Sequence, residues 1–551
     1  MKPQLIIPMT GVSSRFTAAG YKLPKFLLQV DGQTVIEHVL DMFPDWDDVV
    51  FCCNEIHLED PALDLAELLL SKRPKAKIVK VSNNQKGPGW AVLQARQLIE
   101  ESRPVVVNYC DFTCYWDSTR IAEELASGNV EGCIPAYTGF HPHMAHSTSY
   151  AYLKFEDDLV VDIQEKQPWT DNPKSEFASS GTYGFASGKI LFDSLDAQIA
   201  QDIDLNGEYY LSLTYKPLLA AGGRVSTIQV QHFMQWGTPQ DFEEYSDTSR
   251  ALGAWTRNRA GNELNQPAHS KVILASGAGS RFSRAGYRLP KPALPLAGKT
   301  LLEHSLSAVP GVESVVVSRK DLEDDGIVES VATKCGAEIV WLAGLSRGQA
   351  ESALIGLKAL TTNAPVTVTA CDAIPVVTTS QVDSAISACG PNGLLVWVSN
   401  PYHSASRKPE SYGWVTYNAE KQVTGEWIKA NPPIPQAGVL IGTFSFGSRD
   451  YAIEFIEDLI EQEITVNGEF YLDSLVRLQL DSGMPCIALE VPSFVSVGTP
   501  EEYESVRYWQ SCFDKWPLHP YKLKNDPMVS QADIMQLAAE FRKPYGLEVG
   551  L

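Results

Sequence analysis

Several signatures of whole protein classes are missing from this chain. No apolar run approaches the ~18 residues of a membrane span. Met1-Lys-Pro-Gln-Leu-Ile-Ile-Pro has no signal-peptide apolar core. Positive charge is scarce: 45 Lys and Arg face 67 Asp and Glu, a formal net charge of −22. That argues against nucleic acid as a partner, because such binding rests on basic patches that neutralise backbone phosphates. Small phosphorylated ligands stay open, since they need only local cations, backbone N–H groups and a metal. The ten cysteines are scattered without a C-x2-C pair, and Cys110 and Cys114 have three residues between them. A reduced, cytoplasmic protein without a zinc site or disulfide framework is expected.

What is present is a long repeat. Gly11-Val-Ser-Ser-Arg15-Phe-Thr-Ala-Ala-Gly20-Tyr-Lys-Leu-Pro24-Lys25 returns as Gly277-Ala-Gly-Ser-Arg281-Phe-Ser-Arg-Ala-Gly286-Tyr-Arg-Leu-Pro290-Lys291, ten of fifteen positions identical at an offset of 266. Cys110-Asp111 returns as Cys371-Asp372, Gly181-Thr182 as Gly442-Thr443, Asn206-Gly-Glu208 as Asn467-Gly-Glu469, and Gly237-Thr-Pro239 as Gly498-Thr-Pro500, all at an offset of 261. The period far exceeds the ~20–50 residues of solenoid units, so this is a duplicated domain. The expected organisation is a first domain over 1–254, a linker over 255–270, a second domain over 271–510 and an extension over 511–551. The linker is polar with Gly and Pro. The extension has no counterpart in the first half and contains a short helix expected over Ala532–Phe541.

The pattern predicts α/β domains. Strand-like runs at Gln4–Pro8, Val49–Cys53, Ile78–Val81 and Val105–Asn108 alternate with helical spacing over Val35–Phe43, Ala62–Leu70 and Ala91–Ile99, as in parallel βαβ units. Residues 133–186 read as an antiparallel, substrate-facing part, with strands over Tyr150–Phe155, Val160–Ile163 and Gly181–Phe185. In the second copy Val272–Ala275 and Val366–Ala370 are the strands before its loop and aspartate. Ligands of such sheets bind at the carboxyl ends of the strands, where the Gly11 loop and Asp111 both fall.

A loop of glycines and small residues after a first strand lets backbone N–H groups approach phosphate oxygens. With Arg15 and Lys25 at fixed distances, it offers two positive charges to a triphosphate, the Arg in bidentate fashion. Asp111 and Asp372 end β-rich runs, placed to hold Mg²⁺ or to cap a helix. His141-Pro-His143-x-x-His146 fits no zinc spacing and reads as a polar loop or a substrate contact. Trp90, Trp169, Trp236 and Trp414 read as core or as stacking surfaces.

Taken together, Gly-x-x-Ser-Arg-Phe…Pro-Lys, the later Gly loop, the strand-end Asp, Glu-Lys and Gly-Thr-Pro resemble the nucleotidyltransferases that make activated sugars, and relatives such as phosphocholine cytidylyltransferases. The resemblance covers both halves. It implies two tandem Rossmann-like domains, each a mainly parallel mixed sheet flanked by helices. It also implies Mg²⁺-dependent transfer of a nucleoside monophosphate from an NTP to a sugar phosphate or similar phosphorylated small molecule, releasing pyrophosphate. Carried over, Gly11, Ser13, Ser14 and Arg15 match the triphosphate loop, Gly87 the later glycine loop, Lys25 the signature lysine and Asp111 the metal aspartate. Glu165-Lys166 matches an acceptor-side pair, whose lysine meets the acceptor phosphate. Gly181 and Glu208 fall at substrate-side positions. The second copy offers Gly277, Gly279, Ser280, Arg281, Lys291, Gln349, Asp372, Lys429 and Glu469.

Departures accompany the match. Where many relatives place a second metal aspartate, this chain has Gln235 and Ser496, so Glu208 and Glu469 or another group substitute, or each site uses one carboxylate. The first copy has Lys86-Gly-Pro-Gly-Trp90 where the second keeps Gly348-Gln349-Ala350, whose amide can read a base edge. Conversely Ile428-Lys429 stands where the first copy has Glu165-Lys166. The phosphate-holding part is kept twice, while base-reading and acceptor-reading residues diverge in opposite directions. On these residues the first copy is the stronger candidate for catalysis. Two alternatives come from other classes. One or both copies could be non-catalytic nucleotide-binding or scaffolding domains, including in a homo-oligomer. A nucleotide-sugar glycosyltransferase would present a strand-end Asp-x-Asp, whereas this chain has Asp111-Phe-Thr and Asp372-Ala-Ile.

Overall fold

The computed structural model describes residues 2–82, 86–258, 268–322, 326–400, 402–432, 437–517, 519–526, 529, 534–535 and 537. They form two compact units, the first ending at Tyr245 and the second beginning at Ser246. Of the polar segment 255–270, residues 259–267 lie outside the described residues. The helix Pro239–Asn258 runs into its start. The helix expected over Ala532–Phe541 lies almost wholly outside the described residues.

The first unit is built on an apolar strand, Gln4–Met9, buried along its whole length. It pairs in parallel with Val49–Asn54 on one side and Val105–Asn108 on the other, and Lys77–Val81 lies beyond Val49–Asn54. The continuous runs of Val, Ile, Leu and Cys follow from burial of both faces by helices. Sequential strands therefore run outward and then return to the far side of the first. That reversal opens a crevice at the carboxyl ends of Gln4–Met9 and Val105–Asn108. Thr182–Phe185 continues the sheet antiparallel to Val105–Asn108, followed by Gly132–Tyr137, Phe177–Ser179, Ala151–Glu156 and Leu159–Glu165. The antiparallel part expected over 133–186 is there, with one parallel addition, Val225–Gln229 on Gly132–Tyr137.

The second unit repeats the plan. Ser270–Leu274 lies between Ser314–Arg319 and Val366–Ala370, with Glu338–Leu342 outermost. Gly438–Phe446 runs antiparallel to Val366–Ala370, and Leu394–Ser399 and Cys486–Glu490 follow it.

Two helices differ from expectation. The segment expected helical over Ala62–Leu70 starts only at Leu65, because Asp64 sits in the left-handed region at φ 43°. Ala91–Ile99 starts earlier, at Pro88, whose fixed φ suits a first helical position, and after Leu93 it passes into a 3-10 turn over Arg96–Leu98.

Candidate active sites at the strand-order reversals

In the first unit the reversal forms a cleft of about 430 Å³, within the usual size of ligand pockets. Thr10 to Phe16, Lys25, Lys86 to Pro88, Tyr109 to Asp111, Glu208, Tyr210 and Gly237 line it. The loop after the first strand turns through Ser13 in the left-handed region (φ 55°) into the short helix Ser14–Ala18. Its counterpart Gly279 makes the same turn at φ 61°, where glycine carries no steric cost. Ser13 has a compensation: its Oγ accepts a hydrogen bond from the Lys25 N–H at 3.0 Å. This ties the Gly loop to the Pro-Lys segment.

Lys25 donates to Asp111 Oδ2 at 2.6 Å, both side chains about four-fifths buried. Lys291 makes the same pair with Asp372. Burial works against the charge on each lysine, but the carboxylate beside it wins and holds the ammonium above its usual range. Asp372 mirrors this: burial would lift its carboxyl, and Lys291 holds it below the ordinary value. Gly237 leaves room for both groups here: a Cβ at that position would stand 2.8 Å from Asp111 Oδ2 and 2.7 Å from the Gln235 side-chain nitrogen. Gln235 reaches this place because its strand pairs antiparallel with Phe112–Tyr115, in register with Phe112. Ser496 is likewise paired with Ala373 beside Asp372. A neutral group thus stands near each aspartate where a second carboxylate would complete a richer metal set. Mg²⁺ needs only one or two carboxylates when phosphates and water supply the rest, so the donors here fit it. Among the described residues no group of three or more His, Cys, Asp or Glu gathers as a metal site.

The second glycine loop abuts the Asn-Gly-Glu segment. Tyr209 N–H donates to Lys86 C=O at 2.9 Å and Gly89 N–H to Tyr209 C=O at 2.8 Å. Phe470 N–H to Arg347 C=O at 2.9 Å and Ala350 N–H to Phe470 C=O at 3.0 Å repeat the arrangement. A Cβ on Gly87 would stand 2.8 Å from Tyr209 N, and one on Gly348 2.5 Å from Phe470 N. Both glycines are therefore fixed by backbone contact. Pro88 and Gln349 each begin the following helix at the same place, so the first unit offers a ring where the second offers an amide.

The two lysines expected on the acceptor side also match. Lys166 and Lys429 each follow a strand end, in the left-handed region at φ 59° and φ 52°. Their N–H groups donate to Tyr150 C=O at 2.8 Å and Tyr412 C=O at 3.0 Å. Lys166 donates to the Tyr210 hydroxyl at 2.6 Å and lies over its ring, and Lys429 lies over Tyr471. Glu165, the cross-strand partner of Ala151, accepts from Ser212 Oγ. Burial raises its carboxyl above the usual range, against the pull of Ser212 and Lys166.

A model of the MobA-like NTP transferase domain matches this chain twice, over residues 5–159 and 271–425. The chain belongs to the MobA-like NTP transferase family. Its two domains are a tandem duplication. A bifunctional protein GlmU from Alkaliphilus metalliredigens is 27% identical over 235 residues, 42% of this chain and 48% of its own. A 2-C-methyl-D-erythritol 4-phosphate cytidylyltransferase from Pseudoalteromonas translucida is 35% identical over 132 residues, 23% of this chain and 52% of its own. The chain thus spans about half the length of each of these curated relatives. A solved nucleoside-diphosphate-sugar pyrophosphorylase from Vibrio cholerae covers 44% of the chain and 99% of its own, with 21% identity and a TM-score of 0.37.

Not every candidate residue of this family member faces the cleft. Gly181 is not among the residues that line the cleft, and a Cβ there would stand 3.0 Å from the Phe112 ring and 3.2 Å from Tyr109. His141 and His143 are buried against the Tyr137 ring, and burial drives the His141 imidazole down to about 3, as for a neutral core residue. Trp236 and Trp414 are core. Trp90 lies under the Lys86 ammonium and Trp169 under that of Lys154. Two groups were not singled out by the sequence: Tyr210, which joins Lys166 to the cleft, and Asp473, a buried acid in the second unit. The doubled Asn-Gly-Glu-aromatic-Tyr run was the available signal for Tyr210.

Proposed function

We propose that this NTP transferase moves a nucleoside monophosphate from an NTP to a sugar phosphate or similar phosphorylated small molecule, releasing pyrophosphate. A reducing cytoplasm suits it, since none of the ten cysteines is paired in a disulfide. The observation that carries the reading is the convergence, in one cleft, of the Gly11 loop, Arg15, the Lys25–Asp111 pair and the Glu208–Tyr210 segment. Net transfer needs one bond made and one broken. An oxygen of the acceptor phosphate attacks the α-phosphorus in line, and the bond to the β-phosphate bridging oxygen breaks with its electrons leaving on pyrophosphate. No covalent enzyme intermediate is required, so catalysis is positioning and charge neutralisation.

Arg15 and Lys25 supply fixed positive charge to the triphosphate, and Lys166 meets the acceptor phosphate. Asp111 would hold Mg²⁺, which when bound neutralises phosphate charge. The first unit is the leading catalytic copy, since it keeps both the Gly-x-x-Ser-Arg loop and Glu165-Lys166. Arg281, Lys291, Asp372 and Lys429 give the second unit the same core set. The test is pyrophosphate release over a panel of NTPs and sugar phosphates, with Lys25→Ala and Lys291→Ala. Loss on Lys25→Ala is expected, and unchanged release in both variants would refute the site assignment.

A further inference from the structure

The second unit has an acid beside its acceptor-side lysine after all, delivered from another wall. In the first unit Ala151 and Glu165 are cross-strand partners just before Lys166, and Glu165 reaches Ser212. In the second, Gly413 and Ile428 are the corresponding partners just before Lys429, and the position matching Ser212 is Asp473. Three changes fit together. The strand-end acid becomes Ile428, the facing serine becomes Asp473, and the small residue becomes Gly413. A Cβ on Gly413 would collide with Asp473 Oδ2, so the loss of that methyl is what admits the new carboxylate.

Asp473 is 8% exposed and interacts electrostatically with Lys429, which also feels Arg281 and Glu469. The surroundings change in step: Tyr109 and Tyr183, which flank Glu165, correspond to Ala370 and Phe444. Two phenols that stand near the old acid are thus absent where the acid itself has gone.

We infer that the second unit binds a hydroxylated organic phosphate, a sugar or polyol phosphate, with Lys429 on the phosphate and Asp473 accepting from a hydroxyl. An ionised carboxylate is acceptor-only and matches a hydroxyl donor. Because the acid comes from the segment after Asn467-Gly-Glu469 and not from the strand end, it addresses a different hydroxyl from Glu165. The two units then select different acceptors. This inference rests on the nucleotidyltransferase reading and deepens it.

The test uses the full chain carrying Lys166→Ala, which removes the first unit's acceptor-side amine. Calorimetric binding of glucose 1-phosphate, glycerol 3-phosphate and phosphocholine is compared, the last having no hydroxyl. At least one hydroxylated phosphate is expected to bind fivefold or more tighter than phosphocholine. Asp473→Asn should bring that preference below twofold with phosphocholine binding within twofold of the parent, whereas Lys429→Ala weakens all three. The triple change Gly413→Ala, Ile428→Glu, Asp473→Ser returns the acid to the strand end and should restore a preference, which guards against a folding defect in Asp473→Asn. A parent without hydroxyl preference, or a preference that survives Asp473→Asn, overturns the inference. Pyrophosphate release by the unaltered chain is measured alongside. If release is present the parent reading stands whatever the binding result; if it is absent the parent reading itself fails.

Discussion

The two units carry the same Lys–Asp pair beside the same loop turn and differ in the residues on either side of it. Lys25–Asp111 and Lys291–Asp372 are superposable in chemistry, down to the glycine that keeps each aspartate clear. Away from them the copies trade parts: Pro88 for Gln349 at the expected base side, Glu165 and Ser212 for Ile428 and Asp473 at the expected acceptor side. The lesson is that a site can keep its charge inventory while moving a charge to another element. Register alone then misreads the copy as depleted.

The comparison breaks most sharply at the aspartates. Asp111→Asn should cut the first unit's turnover by roughly 10²–10³-fold, the scale of losing one charge-stabilising group. Asp372→Asn should leave turnover of the first unit's acceptor unchanged. Pyrophosphate release with each acceptor separates the two. Next come the loop glycines. Gly348→Ala should destabilise the second unit by about 3 kcal/mol, and Gly87→Ala the first by somewhat less, because the added methyl meets backbone in both. Chemical denaturation followed by unit-specific tryptophan probes measures this.

A third prediction sharpens the exchange of acids. Burial lifts the Asp473 carboxyl to about 6, against the pull of Lys429, while burial lowers the Lys429 ammonium despite Asp473. Desolvation dominates both partners. With its folded value above the unfolded one, Asp473 binds more protons in the folded state between about pH 4 and 6. Stability of the second unit should therefore fall as pH rises through that window. Asp473→Asn should abolish the fall and leave the unit about 2 kcal/mol more stable at pH 7.5, with no gain below pH 4. Denaturant titrations at a series of pH values check the sign. The smallest effect is at the first loop: Ser13→Gly relieves the left-handed turn but loses the bond to Lys25 N–H, and should change stability by no more than about 0.5 kcal/mol. Ser13→Ala loses the bond without relief and should cost about 1 kcal/mol.

Much of this was legible in sequence because the duplication acts as an internal control. Apolar runs of the parallel strands and the Gly…Arg…Pro-Lys loop are local features, so Gln4–Met9, the loop and Asp111 fall near where pattern puts them. Helix limits were less legible. Nothing in the apolar spacing of Ala62–Leu70 announces that Asp64 turns left-handed and delays the helix to Leu65. Asp473 was hidden for a different reason. Its meaning depends on Gly413 and Ile428, on strands brought against it only by folding. The histidine run shows the reverse error, since it reads as a polar loop or substrate contact while packing on Tyr137 buries His141 and His143 and leaves His146 exposed.

Lys166 and Lys429 stand in a backbone conformation that glycine or asparagine would occupy with less strain, by about 1 kcal/mol. For an idle copy this is a downhill direction for drift, since a mutation there would make the fold firmer. The chain has let the neighbours of Lys429 change and has retained the lysine itself. Its two amines thus stand against the grain of the backbone, at the same strand-end turn of each unit.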